Sequence, residues 1–267
     1  MFNGATDFDR EICGWGDLTN VVDMFTGSQG SWILDCSSVF YPQDRDELAV
    51  AVNAYCHGDT TTYGLINTWD VSRVEDMHTV FKDKIMFNED ISTWQMAQVT
   101  NMAGMFENAT VFNSPVAAWN VTRVTDMSDT FKSAMAFDQP LSSWQTASVT
   151  SFQSTFQGAY SFNQDISTWD TVSATDLSFM FNGAAAFQKD ISRWDVSKVS
   201  TMEGMFMQAT WFNQDVSGFN VDLNVLTSVV SMFSIMPTFN QTICGWGDLS
   251  SVNTTGMFYG TPDGSYV

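Results

Sequence analysis

The sequence predicts an α/β repeat fold, a solenoid of about eight stacked coils of 25 residues each. The first observation is a tryptophan that returns every 25 residues, and the second is a pair of phenylalanine series with the same step. The tryptophan series comprises Trp69, Trp94, Trp119, Trp144, Trp169, Trp194, then Phe219, and finally Trp246 after a two-residue insertion. The phenylalanine series are Phe81, Phe106, Phe131, Phe156, Phe181 and Phe206, and Phe87, Phe112, Phe137, Phe162, Phe187 and Phe212. We expect these rings to form a core ladder rather than a cofactor site, because each coil alone is too thin to bury them.

One half of each coil has the alternation of a short strand. In residues 166–170, Ile166 and Trp169 are expected to point inward, whereas Thr168 and Asp170 are expected to face solvent. Repeated along the chain, this pattern predicts one short parallel strand per coil.

The other half of each coil has apolar residues three or four positions apart. Residues 124–131 show this spacing, which is typical of a helical or 3₁₀ turn. Asp76 and Asp126 stand at the start of such turns, and we expect their side-chain oxygens to cap them.

The repeat is interrupted at residues 28–62, where the sequence predicts a linker followed by an N-terminal capping helix. The segment from Arg45 to Tyr55 has helical spacing and good helix formers. Pro42 before it and Gly58 after it fit a helix start and stop. We expect this helix to cover the open end of the first coil.

A second, longer period relates the two ends of the chain. Residues 1–23 resemble residues 232–254, and the segment Ile12–Leu18 returns unchanged as Ile243–Leu249. One interpretation is a piece of a tandem array, and the other is a single protein whose two ends are paired caps. The tandem interpretation divides the chain into a closing coil of a preceding module (1–27), the linker and cap helix (28–62), the solenoid repeats (63–238), and a closing coil with the junction to a following module (239–267).

The composition excludes several function classes. The formal net charge is −20, from 30 acidic and 10 basic residues, which disfavours binding to nucleic acid and to anionic membranes. No apolar run approaches the ~20 residues of a membrane span, so direct membrane insertion is not expected. No catalytic set, phosphate-binding glycine loop, EF-hand loop or dense aspartate cluster is visible, and we expect no enzyme activity, metal or cofactor. The two histidines, His57 and His78, are expected to be solvated.

Several coil sequences resemble a known family of repeats. FNQDISTWD (162–170), WDVSRVEDM (69–77) and WDVSKVSTMEGMF (194–206) are similar to the 25- or 26-residue repeats of BspA-like leucine-rich-repeat surface proteins of bacteria and protists. The resemblance implies a right-handed, leucine-rich-repeat-like solenoid that is secreted or displayed at the cell surface. It implies binding or construction of surfaces and no reaction.

The resemblance also bears on the four cysteines. In similar proteins the cysteine of the closing Cys-Gly-Trp pairs with a cysteine shortly after it, which implies a disulfide between Cys13 and Cys36. The competing pairing is Cys36 with Cys56, and Cys244 would find its partner outside this chain. Sequence alone does not settle the connectivity, and four free thiols remain the other alternative.

Four Asn-x-Ser/Thr sequons are candidate glycosylation sites if the chain passes through a eukaryotic secretory route. They are Asn108, Asn120, Asn240 and Asn253. A glycan on Asn120 would obstruct the predicted strand face.

The function expected from these observations is structural: a non-enzymatic module of an extracellular or cell-surface fibre. The alternative is an adhesin or receptor-like module that binds a ligand on its strand face. The binding candidates of that face are Asp70, Gln95, Asn120, Gln145, Asp170, Asp195 and Asn220, beside a row of Thr68, Thr93, Ser143, Thr168 and Arg193. The expected partners are further copies or neighbouring modules of this protein, with cell-surface glycans as a second class.

Overall fold

A computed structural model describes residues 39–266 of the chain. Residues Tyr41–Val267 form one compact unit. Its regular elements are helix α1 (Arg45–Cys56), two short 3₁₀ helices (Ile66–Thr68 and Leu249–Ser251), and strands β1 (Thr242–Ile243) and β2 (Ser265–Tyr266). The two strands pair in parallel, with Thr242 opposite Ser265 and Ile243 opposite Tyr266.

From residue 63 onward the chain runs in turns of about 25 residues, which we call coils, and each coil is joined to the next by a parallel bridge. The bridges are Asp76–Asn101, Asn101–Asp126, Asp126–Ser151, Ser151–Asp176, Asp176–Thr201, Thr201–Ser228 and Ser228–Asn253. This location corrects the predicted strand position. The segment around Ile166 and Trp169 has turn and irregular structure, whereas the bridges lie in the half for which the sequence predicts a helical turn.

The bridges lie in this half of the coil because the N–H groups of alternate residues there face the next coil. In one coil the N–H groups of Met102, Gly104, Phe106 and Asn108 donate to carbonyl oxygens of the following coil at 2.8–2.9 Å. The same set of four bonds recurs at every step from the coil of Met77 to the coil of Val229. Residues with positive φ, such as Gly104 at 62° and Asn108 at 59°, make this direction possible. All these N–H groups therefore point towards the C-terminal end of the stack.

The predicted core ladder lies inside this stack. The tryptophans and Phe219 are 2–3 % exposed, and the rings of the first phenylalanine series are fully buried. Equivalent rings of neighbouring coils stack, with centroid separations of 6.3 Å for Trp144–Trp169 and 5.7 Å for Phe131–Phe156. Within a coil, Phe156 and Phe162 are 3.8 Å apart, so the two phenylalanine series touch.

The tryptophans also connect coils through their indole nitrogens. Nε1 of Trp144 donates to the carbonyl of Val116 at 3.1 Å, and Nε1 of Trp169 donates to that of Leu141 at 3.0 Å. The equivalent bond recurs for Trp94, Trp119, Trp194 and Trp246. A buried indole N–H needs such an acceptor, which explains why these positions suit tryptophan in particular.

Helix α1 lies against the first coil. The Asp44 carboxylate caps it by accepting from the backbone N–H groups of Asp46 and Glu47. Leu48, Ala51 and Val52 are fully buried. The helix therefore occupies the place where a preceding coil would otherwise stack.

Arg45 of α1 completes this contact. Its Nε donates to the carbonyl of His78 at 3.1 Å, and its Nη2 donates to Oγ1 of Thr79 at 2.8 Å. In the interior of the stack, the carbonyl equivalent to that of His78 accepts a backbone N–H of the preceding coil. The guanidinium thus replaces a missing backbone donor at the capped end.

Several predictions stay outside this description. The predicted closing coil of residues 1–27 and residues 28–38 of the predicted linker lie outside the described residues. The handedness and the leucine-rich-repeat-like class of the solenoid, and the remaining domain boundaries, stay predictions.

Candidate functional site

The predicted strand-face row is engaged in local turns. The Oδ1 atoms of Asp70 and Asp170 accept from backbone N–H groups two residues later, at 2.9 and 3.0 Å. Oδ1 of Asn120 accepts from the N–H and the hydroxyl of Thr122. Gln95 donates its Nε2 to the carbonyl of Thr93 at 2.8 Å. These side chains therefore have a structural use, and Gln145 is an exposed member of the same row.

The C-terminal part of that row is linked across coils. Asn220 donates its Nδ2 to the carboxylate of Asp195 at 2.7 Å and accepts the N–H of Val196 at 2.8 Å. Ser197 also donates to Asp195, and together these hydrogen bonds hold the pKa of that carboxyl below its usual range.

The adjacent row is also used by the fold. The hydroxyls of Thr93, Ser143 and Thr168 donate to carbonyls of the preceding coil at 2.6–2.9 Å. Thr68 donates to the carbonyl of Leu65 at 2.7 Å, and Arg193 is exposed. The two predicted binding rows are brought side by side in each coil, but most of their polar atoms already have partners.

Four further aspartates, at equivalent positions of their coils, also accept a hydrogen bond from the N–H two residues later: Asp90, Asp165, Asp190 and Asp215. The N–H groups of Ser92, Ser167, Ser192 and Ser217 donate to the aspartates two residues before them, at 2.8–2.9 Å. Hydrogen bonds from these serines lower the pKa values of Asp90, Asp165, Asp190 and Asp215. The prediction that Asp76 and Asp126 cap helical turns is wrong, because both lie at bridges between coils; their Oδ1 atoms accept instead from the N–H groups of His78 and Ser128, two residues later.

The basic residues near the first coils form a small ion-pair network. Nζ of Lys82 lies 2.7 Å from Glu107, and Nζ of Lys132 lies 2.9 Å from Asp129 and 3.9 Å from Glu107. The hydrogen bond to Glu107 raises the pKa of Lys82. The network joins three successive coils, and we interpret it as structural because each charge has an opposite neighbour.

The histidines and carboxylates do not converge on a reaction centre in the part of the chain that the structure describes. Nδ1 of His78 lies 2.8 Å from Oδ2 of Asp76, and Nδ1 of His57 lies 2.6 Å from the carbonyl of Asn53. His78 is half-buried rather than fully solvated. Across residues 39–266, no three His, Cys, Asp or Glu side chains are grouped as metal ligands.

Two of the four cysteines can be placed. Cys56 and Cys244 are exposed, and they form no disulfide within residues 39–266. Desolvation of the sulfur raises the pKa of the Cys56 thiol. Cys13 and Cys36 lie outside the described residues, so the pairings that involve them stay predictions.

The four sequon asparagines differ in their exposure to solvent. Asn120, Asn240 and Asn253 are exposed. Asn108 is half-buried and donates its Nδ2 to the carboxylate of Asp83 at 2.8 Å, so a glycan there would have to compete with this contact. Asn120 and Asn253 use their oxygens in turns with Thr122 and Thr255.

The open C-terminal edge is the site that sequence reasoning missed. By position, the N–H groups of Thr254, Gly256, Phe258 and Gly260 correspond to the four forward donors of each earlier coil. None of them has a hydrogen-bond acceptor among residues 39–266. Tyr259 is 72 % exposed on this coil. A signal was present in the sequence, since Met257-Phe258 repeats the Met-Phe pair of interior coils.

The geometry of this edge is unusual because its donors are parallel. Gly256 and Gly260 have φ values of 66° and 70°, so the row keeps the left-handed positions of interior coils. Successive N–H groups that alternate between right- and left-handed conformations attract anionic or carbonyl oxygens. The edge therefore presents four N–H donors that face the same way.

Within residues 39–266, no helix is both long and apolar enough to cross a membrane. Comparison with known proteins gives one family. The model of a family described as "Mycoplasma protein of unknown function, DUF285" matches twice, at residues 52–167 and 150–264. No curated protein and no solved structure matches the chain. The two matches together cover most of the sequence, and the chain belongs to the DUF285 family.

Proposed function

We propose that this chain is a non-enzymatic structural module of an extracellular or cell-surface fibre, built from right-handed, leucine-rich-repeat-like solenoids in tandem. The observation that carries the proposal is the open C-terminal edge. Every earlier coil passes four N–H groups to the next coil, whereas the final coil keeps the same four donors without acceptors in the described residues. An unsatisfied donor row of this kind favours continuation of the stack.

The long period of the sequence supports the same function. Residues 1–23 resemble residues 232–254, so the closing-coil sequence is present at both ends of the chain. In a tandem array each module would then follow another through the same junction. The core supports a mechanical role, since coils held by stacked rings and directional hydrogen bonds resist bending at every step.

We also propose that the chain is a BspA-like leucine-rich-repeat protein. The coil sequences are similar to BspA-like surface repeats, and we take the DUF285 match as support for a repeat protein of that kind. Display outside the cell follows from this resemblance, as does a stabilising disulfide between Cys13 and Cys36 at the junction.

A chain of two modules tests the proposal. Residues 30–33 resemble residues 264–267, so residues 1–267 followed directly by residues 34–267 join two modules in register. We expect the amides of Thr254, Gly256, Phe258 and Gly260 in the first module to exchange with deuterium at least about tenfold more slowly than in the single module. Residue-resolved NMR exchange measures this change.

The control is internal to the molecule. The amides of Val229, Ser231, Phe233 and Ile235 already have acceptors and should exchange slowly in both chains. If the four edge amides exchange at the same rate in the single and double chains, the tandem function is wrong.

A further inference from the structure

One edge of the stack carries an exposed row of uncharged side chains, which we call the uncharged ridge. It consists of residues 85–86, 110–111, 135–136, 160–161, 185–186 and 210–211, two from each of six successive coils. None of these residues is charged, although the chain has a formal net charge of −20. The ridge includes large exposed side chains: Met86 (78 %), Trp211 (61 %), Ile85 (54 %), Tyr160 (52 %), Met135 (42 %) and Val111 (37 %).

The backbone under the ridge is held in place by hydrogen bonds between coils. The N–H of Ser161 donates to the carbonyl of Met135 at 3.2 Å, and that of Trp211 donates to the carbonyl of Ala185 at 3.1 Å. These bonds involve only the main chain, so they do not require apolar side chains at the surface. Large exposed apolar side chains grouped on one side of a stack are a sign of a binding surface.

The two aromatic rings lie two coils apart, with a gap between them. The coil between Tyr160 and Trp211 contributes only Ala185 and Ala186 to the ridge. The Tyr160 ring lies beside Gly183, where a Cβ would be 3.9 Å from Cε1 of the tyrosine. Successive coils are about as far apart as their buried rings, whose centroids are separated by 5.9 Å for both Phe162–Phe187 and Phe187–Phe212. The ridge therefore carries two exposed aromatic side chains that are separated by one coil with alanines.

A row of amide donors runs two residues beyond the ridge. Asn88 and Asn113 use their Oδ1 atoms to accept the backbone N–H groups of Asn113 and Asp138, at 2.7 and 2.9 Å. Asn163 accepts that of Gln188 at 3.2 Å. These bonds fix which side-chain atom is the oxygen, and each Nδ2 has no acceptor within the described part of the chain. Unused Nδ2 donors therefore lie beside the ridge at three of its six coils, whereas Asp138 places a carboxylate in this row and Asn213 donates its Nδ2 to Asn240.

We propose that the uncharged ridge binds a linear, neutral polysaccharide. A sugar ring presents C–H groups on its faces, which pack on Tyr160 and Trp211, and hydroxyl oxygens at its rim, which accept from the amide Nδ2 atoms. A polymer repeats these features along a line, as the coils do. This inference does not depend on the proposed fibre function.

The charge pattern selects the neutral polymer among possible partners. A chain with a net charge of −20 repels acidic polysaccharides and other copies of itself at low salt. A stable protein–protein interface buries roughly 800 Å² on each partner, and a ridge two residues wide offers little breadth for such a contact. We therefore do not expect the ridge to bind another protein, and the test below would detect such binding.

The test uses the whole chain and defined probes. Isothermal titration with cellohexaose, laminarihexaose and mannohexaose should give binding by at least one of these neutral oligosaccharides and none by an oligogalacturonide. For the sugar that binds, Trp211→Ala and Tyr160→Ala should each weaken the affinity about tenfold, because an aromatic face is lost. Both side chains are exposed, so circular dichroism should show the fold unchanged.

Tyr259→Ala is the matched control, since Tyr259 is an exposed aromatic residue outside the ridge. Its affinity for the sugar should equal that of the unaltered chain. The proposal is overturned if no neutral oligosaccharide binds, or if Trp211→Ala and Tyr160→Ala bind as well as Tyr259→Ala. Self-association that is lost in Trp211→Ala without any sugar binding would also overturn it.

Discussion

At the scale of single residues, the stack depends on backbone conformations that side chains ordinarily avoid. One position with positive φ recurs through the coils as Thr79, Gly104, Asp129, Ser154, Phe179, Gly204, Ser231 and Gly256. Each non-glycine residue there costs on the order of 1 kcal/mol or more. The cost is tolerated because the neighbouring coils fix the backbone on both sides through hydrogen bonds.

Gly204→Ala is the substitution that tests this conformation most sharply. A Cβ at Gly204, where φ is 56°, would lie 2.5 Å from the ring of Phe179. We expect the free energy of unfolding to fall by about 2 kcal/mol, from left-handed strain together with displacement of the ring. Urea denaturation measures the loss.

Gly218→Ala is the matched control for that prediction. A Cβ at Gly218 has no heavy atom within 4 Å, so this variant should change the free energy of unfolding by no more than about 0.5 kcal/mol. Equal effects of the two variants would show that the left-handed position is not under strain.

The aspartate turns predict a pH dependence. The serine hydrogen bonds lower the pKa of Asp190 in the folded chain, so its carboxylate stabilises the fold above the unfolded pKa of about 3.9. This contribution is lost as the pH falls through the lower folded value. Asp190→Ala should therefore destabilise the chain by about 1 kcal/mol or less at pH 7.

The comparison is made by thermal unfolding of both chains at pH 7 and near pH 2.5. The difference in melting temperature should be smaller at the acidic pH, because the carboxylate takes up protons as the pH falls towards its lowered folded pKa. A difference of the same size at both values would contradict the assigned role of the carboxylate.

At the scale of elements, helix α1 and the first coil form the capped end of the stack. Arg45 supplies N–H donors to the carbonyl of His78 and the hydroxyl of Thr79. Arg45→Ala should lower the free energy of unfolding by about 2 kcal/mol, because charged hydrogen bonds are lost and a carbonyl is left without a donor. Chemical denaturation checks this value.

Arg73→Ala provides the comparison for Arg45. Arg73 is exposed and contacts only the side chain of Gln43, at 3.1 Å, among its hydrogen bonds in the described chain. Its replacement should cost less than about 0.5 kcal/mol. If both arginine variants lose equal stability, α1 does not cap the stack through Arg45.

The sequence allowed the burial of the rings and the position of α1 to be predicted, because both follow from regular spacing of apolar residues. Trp169 and Phe156 lie in the core for this reason. The location of the bridges was missed, since the spacing of Met127 and Phe131 equally fits a helical turn. The left-handed positions that decide between the two are occupied by residues such as Asp129 and Phe179, which carry no glycine signal.

The candidate sites were predictable to different degrees. Outward positions such as Asp170 and Asn120 were placed on the surface, but their engagement in turns depends on backbone N–H groups that no residue pattern displays. The open edge depends on hydrogen-bond direction, which becomes visible only when coils are stacked.

At the scale of the whole molecule, the stack has a direction. In each interior coil one set of four N–H groups donates towards the C-terminal end, whereas other N–H groups, such as that of Ser161, donate to the preceding coil. One end is thus closed by a helix, whereas the other presents donors and the exposed ring of Tyr259. Two such donor edges cannot pair with each other, because two donor rows cannot satisfy each other.

Residue-resolved amide exchange in the single chain tests this account most directly. The amides of Val229, Ser231, Phe233 and Ile235 donate to the final coil, and those of Thr254, Gly256, Phe258 and Gly260 have no acceptor in the described chain. The account predicts slow exchange for the first set and exchange at least about a hundredfold faster for the second. Equal protection of the two sets, or rapid exchange of both, would contradict it.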